Sequence, residues 1–162
     1  MRASLILRST VPALGLVLAA CNPFNREPVT EVTRDYNLNA RWRASLVTPS
    51  ALGGAVQING QATMQPGKNT GETMVSLNIA NATPGGTHPW QVHSGQCNAD
   101  EGVLGGAAAY SSVKVGDDGK GSSNATLAVT TPTTGSYFVT VQASAANPET
   151  IVACGNLAPP ST

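Results

Sequence analysis

The sequence predicts an all-β domain of about eight short strands, a sandwich or barrel with Greek-key connections. Three observations carry this reading. From residue 40 onward apolar and polar residues alternate with a period of two, the spacing of a half-buried strand rather than a helix. The 162 residues include 17 Gly and 11 Pro, the punctuation of many turns, and no helical period is found after residue 21. Hydrophobic residues reach 41%, enough for a core, while only 11% are charged and the formal net charge is zero. No basic stripe exists, which removes the electrostatic support that nucleic-acid binding needs.

The strands follow in order. In residues 40–47, Ala40, Trp42, Ala44 and Leu46 alternate with Arg41, Arg43 and Ser45. Residues 55–64 set Val56, Ile58, Ala62 and Met64 against Gln57, Asn59, Gln61 and Thr63. A Pro66-Gly67 turn leads to residues 72–80, where Thr73, Val75, Leu77 and Ile79 face away from Met74, Ser76 and Asn78. After the loop "NATPGGT" comes a strand through 88–93, then a Gly- and Ala-rich loop over 94–110. Two further strands flank an Asp118-Gly119 turn, "SYFVTVQAS" (136–144) is the clearest late strand, and "TIVACGNL" closes the domain.

The N-terminus is a targeting segment. Arg2 and Arg8 precede the apolar run "VPALGLVLAA" (11–20), which is too short for a secure transmembrane helix. It ends in "LAAC" (18–21), which resembles the lipobox of bacterial lipoprotein signals. That resemblance implies a signal peptide over 1–20, cleavage before Cys21 and diacylation of its thiol. Asn22 stands where an Asp would favour inner-membrane retention, so the expected site is the outer membrane, facing the periplasm, with the cell surface as the alternative face. Cleavage leaves 142 residues and removes two of nine Lys+Arg, giving seven against nine Asp+Glu and a net charge of −2. With Cys21 carrying lipid, Cys97 and Cys154 remain, and a disulfide between them is expected outside the cytoplasm. Its loop of about 57 residues is worth on the order of 4 kcal/mol in the chain-entropy model. Residues 21–38 mix Pro, Asn and charges without a period and read as a tether, with the β domain over 39–162.

The run from "GQATMQ" through "MVSLNIANATPGGTHPWQVH" to "IVACGNL" resembles Cu,Zn superoxide dismutase. Gly85-Gly86, His88, His93, Cys97 and Ala153-Cys154-Gly155 occur in that family's order, over roughly residues 41–157. The resemblance implies an eight-stranded, flattened Greek-key β-barrel and a disulfide from a loop to the last strand. It also implies copper ligands on a His-X-His strand, where residues i and i+2 share a face about 7 Å apart. Here those positions hold Gln91 and His93, and the ligand position on the later strand holds Gln142. A carboxamide is a poor copper ligand beside an imidazole nitrogen. His88 corresponds to a histidine that braces backbone in the family. Between Cys97 and residue 121 there is no histidine for zinc, and the family's anion-steering arginine is replaced by Ile151.

The expected function is therefore an outer-membrane-anchored periplasmic lipoprotein without dismutase activity, with no metal cofactor and a structural or binding role in the cell envelope. Its partners are the membrane, through lipid at Cys21, and no nucleic acid; the protein partner is not identified by the sequence, and a homodimer is an analogy at the level of fold. At the position of the family's copper site, Gln91 and Gln142 are expected to pair with each other and with His93, the alternative being that they bind a small polar ligand or a weakly held metal. The competing reading is a copper-binding protein or divergent dismutase using His93 and His88. A third reading, an adhesion module, requires an exposed apolar patch or an unpaired edge strand. Trp42 and Trp90 read as core, "DDG" (117–119) as a turn rather than a calcium loop, and "NAT" at 81–83 and 124–126 as turns. No Ser-His-Asp, Cys-His or paired-carboxylate arrangement is read from the sequence.

Overall fold

Alternation becomes burial wherever a strand has one face on the core. A computed structural model describes residues 41–54 and 57–160. The signal peptide (1–20), the lipidation site Cys21 and the tether (21–38) lie outside the described residues. In β1 (Trp42–Val47) burial alternates strictly, with Trp42, Ala44 and Leu46 inside. In β2 (Asn59–Pro66) and β3 (Thr73–Ala80) the inward residues are Ala62 and Met64, and Thr73, Val75, Leu77 and Ile79. The remaining strands are β4 (Thr87–His88), β5 (Trp90–Gln96), β6 (Ala99–Val103), β7 (Val113–Val115), β8 (Gly121–Leu127), β9 (Tyr137–Ser144) and β10 (Asn147–Leu157). The only helical elements among the described residues are single 3₁₀ turns at Ser50–Leu52 and Ala107–Ala109.

All ten strands belong to one antiparallel sheet in the order β4-β7-β8-β3-β2-β1-β10-β9-β5-β6, curled into a half-barrel around the core. The count differs from the expected eight for two reasons. Pro89 has no N–H to donate and splits the strand expected over 88–93 into β4 and β5. β6 lies within the stretch expected as a loop, because all five of its residues are exposed and carry no alternation. The second "NAT", 124–126, lies inside β8, not in a turn: Ala125 is buried between exposed Asn124 and Thr126. The first begins with Asn81 at φ 59°, a true turn residue. At Asp117–Gly119 the chain turns as expected, Lys120 N–H donating to Asp118 Oδ1 at 3.1 Å.

Each tryptophan is buried with its one polar atom satisfied. Trp42 Nε1–H donates to Pro132 O at 2.8 Å and its ring meets Tyr137 edge-on at 5.4 Å. Trp90 Nε1–H donates to Ser111 O at 2.8 Å and packs edge-on against Tyr110 at 5.2 Å. These bonds pin loop backbone to the two largest core side chains.

β10 passes close to β1 at Gly155. A Cβ there would collide with the Ser45 carbonyl oxygen and press on Leu46 Cα at 3.2 Å, backbone atoms that a rotamer change does not move. Gly155→Ala is expected to cost about 1–3 kcal/mol, the usual range for overpacking; urea unfolding checks it, and an unchanged midpoint would contradict the close approach.

Candidate functional site

β5, β9 and β10 point their core residues one way and their polar residues the other. Trp90 and Val92 of β5 and Val139 and Val141 of β9 face inward, each less than 2% exposed. The opposite face therefore collects Gln91 and His93, then Phe138, Thr140 and Gln142. Strand pairing sets Gln91 across from Thr140, His93 across from Phe138, and Ile151 across from Gln142. The sequence-predicted positions Gln91, His93 and Gln142 thus share one face.

Over this face lies the segment that begins at Cys97. Cys97 and Cys154 form a disulfide, and Cys97 N–H donates to Asn156 Oδ1 at 3.0 Å. A cavity of about 470 Å³ opens beside it, lined among others by His93, Asp100, Phe138, Thr140, Gln142 and Glu149.

His93 is buried, and both its ring nitrogens are engaged. Nδ1 lies 2.9 Å from Asp100 Oδ1, and Nε2 lies 3.3 Å from Thr140 Oγ1. A carboxylate only accepts, so Nδ1 carries the proton and Nε2 accepts from the Thr140 hydroxyl. The imidazole also stacks on Phe138 at 5.1 Å with 28° between planes. Asp100 is itself oriented: Gly102 N–H donates to the same Oδ1 at 2.7 Å. The Gly102 N–H, the largest influence, holds the Asp100 carboxyl below its ordinary value of 3.8 against the opposing effect of burial, with smaller help from the hydrogen bond and charge of His93.

This differs from the expected amide patch. The ring's partners are Asp100 and Thr140, and among the described residues neither glutamine amide pairs with it. Thr140 carried no sequence signal of its own, although it lies two residues before Gln142 and so on the same face. Asp100 lies in the stretch 94–110 that was expected as a loop.

His88 is held elsewhere. Its Nδ1 lies 3.0 Å from the Gln142 carbonyl oxygen and donates to it, while Gln142 N–H donates to Pro89 O at 2.8 Å. The β4–β5 junction is thereby stitched to β9. His88 Nε2 is buried with no hydrogen-bond partner among the described residues. No three His, Cys, Asp or Glu side chains gather to hold a metal among the described residues. One imidazole, already bonded through both nitrogens and flanked by amides, does not fit an imidazole-rich copper centre. No protein-family model matches the chain, and no curated protein matches it.

Two outcomes follow from this geometry. Replacing Cys97 and Cys154 together by Ser is expected to cost on the order of 4 kcal/mol, from the loop of 57 residues that the bridge closes; equilibrium unfolding in urea measures it, and a loss below about 1 kcal/mol would show that the unfolded chain is not constrained as that model requires. A depressed folded-state pKa means that Asp100 stabilises the fold above 3.8 and that this contribution disappears as pH falls through the lower folded value. The stability gap between wild type and Asp100→Asn should be full well above pH 3.8 and shrink as pH falls through and below it in acid titrations followed by circular dichroism; a gap that widens in acid would reverse the assignment.

Proposed function

We propose that the chain is an outer-membrane-anchored lipoprotein facing the periplasm, with a superoxide dismutase-like Greek-key barrel that lacks dismutase activity and serves a binding role in the cell envelope. The lipid anchor rests on "LAAC" at 18–21 and the charged, apolar run before it. The fold reading is supported by strand order. With β4 and β5 joined across Pro89 and β6 counted as part of the following loop, eight strands remain. Their neighbours then run first, second, third, sixth, fifth, fourth, seventh, eighth and back to the first, a Greek-key circuit.

One observation carries the loss of dismutase chemistry. The three positions where the family resemblance asks for copper ligands share a face, and two of them are amides while the third, His93, spends both nitrogens on Asp100 and Thr140. The steering position, Ile151, brings an apolar side chain to the same cavity. What remains is a protein-lined cavity with amide, hydroxyl, imidazole and carboxylate groups, suited to a small polar ligand.

Full-length protein from membranes should contain neither copper nor zinc in stoichiometric amount by elemental analysis and should show no dismutase activity after copper is added. One copper per chain that survives a chelator would sink the reading in favour of a copper protein. Labelled palmitate should enter the wild type and not Cys21→Ser; equal labelling of both would remove the anchor.

A further inference from the structure

We propose that the cavity is an acyl-transfer site in which Thr140 is the nucleophile, His93 the general base and Asp100 the positioning residue. This deepens the reading of the cavity as a metal-free polar site and rests on it. The Asp100–His93–Thr140 chain runs carboxylate to Nδ1 at 2.9 Å, then Nε2 to hydroxyl at 3.3 Å. Such a relay needs its base in one tautomer, with the lone pair on the nucleophile. The carboxylate enforces that tautomer, and the Gly102 N–H fixes the carboxylate in turn. Phe138 stacks on the imidazole and limits its rotation.

Gln142, whose side chain lines the cavity, supplies the remaining part. Gln91 is the cross-strand partner of Thr140, and Gln142 is two residues along the same strand on the same face. The Gln142 side-chain amide makes no hydrogen bond among the described residues, so its N–H groups are available to a ligand in the cavity. Side-chain amides flanking a nucleophile stabilise the oxyanion that forms when it attacks a carbonyl. The amide at a position where the family resemblance asks for an imidazole thus becomes a donor for a different chemistry.

The reaction balances within these groups. Thr140 Oγ1 bonds to the carbonyl carbon of an ester while its proton passes to His93 Nε2. Collapse breaks the bond to the leaving alcohol, which takes that proton. Water then adds to the carbonyl carbon of the acyl–Thr140 ester and gives a proton to Nε2; collapse breaks the bond to Thr140 Oγ1, which takes that proton back, releasing the carboxylic acid. The cavity of about 470 Å³ admits small substrates. Asp100 and Glu149 line it and no Lys or Arg does, which selects uncharged or cationic esters over anionic ones.

The test is labelling of the purified full-length protein with diisopropyl fluorophosphate, a small uncharged reagent that exchanges its P–F bond for a P–O bond to an activated hydroxyl. Thr140 is 4% exposed, so the reagent must enter the cavity to reach it. Intact mass and peptide mapping should find one adduct, on Thr140. His93→Gln should slow it by at least about 100-fold, the lower range of general-base catalysis. Thr140→Ala should abolish it, and Thr140→Ser, which removes the crowding methyl group, should label at least as fast as wild type and shows that the site tolerates change. Asp100→Ala should both slow labelling and remove the downfield proton resonance of the hydrogen-bonded His93 Nδ1–H, a signal that loss of packing alone would leave in place. A folded protein without an adduct on Thr140, or with a labelling rate indifferent to His93→Gln, overturns the proposal. Firmly held copper in the elemental analysis would sink the site reading and the relay together, whereas a metal-free, unlabelled protein sinks only the relay.

Discussion

The bridge between Cys97 and Cys154 decides what the outer face of β5, β9 and β10 becomes. Without it, the segment after β5 is a chain of exposed residues with little apolar area to bury, since every residue from Gln96 to Val103 is exposed. With it, that segment is fixed to β10, whose neighbour β9 carries Thr140 and Gln142. Asp100 then lies within reach of His93, and an open sheet face becomes the wall of a cavity. The energetic role of the bridge falls chiefly on the unfolded chain. Its geometric role is to tie the β5–β6 turn to β10, while the β5–β6 pairing sets Asp100 beside His93.

Most of the fold was legible because most strands bury one face only. Trp42, Ala44 and Leu46, or Val75, Leu77 and Ile79, alternate with polar neighbours, and each alternation became a strand with those residues inside. Legibility failed where burial and period part company. β6 is exposed on every residue and is held by pairing to β5 rather than by the core, so its composition is that of a loop. β4 and β5 read as one strand because the pattern runs through Pro89, whereas the missing N–H interrupts the ladder.

The site was half legible. Period two places Gln91 with His93 and Gln142 with Thr140, and that much needs only strand geometry. Which partner an imidazole chooses is a long-range fact: Asp100 comes from across a tight bulged turn, and Thr140 from a strand 47 residues away in sequence. The amides were expected to turn toward the ring. A carboxylate fixed by a backbone N–H is the stronger acceptor for Nδ1–H, since a charge-assisted hydrogen bond is roughly twice as strong as a neutral one. The exposure of Asp100, with 55% of its side chain open to solvent, weakens the Coulomb part of that contact and leaves the directional hydrogen bond as its main content.

Fold and chemistry are written on opposite faces of the same strands. The inward residues of β5 and β9 are Trp90, Val92, Val139 and Val141, and they set the core whatever stands between them. The outward residues lie outside the core cluster, so a change of side chain at Gln91 or Gln142 changes the ligands on offer at small cost to packing. His88 is the exception that confirms this division. It turns away from the cavity toward the Gln142 carbonyl, and its burial makes it part of the framework that joins β4 and β5 to β9. The two histidines therefore belong to different problems: His88 fixes where β9 lies, and His93 acts on what β9 carries.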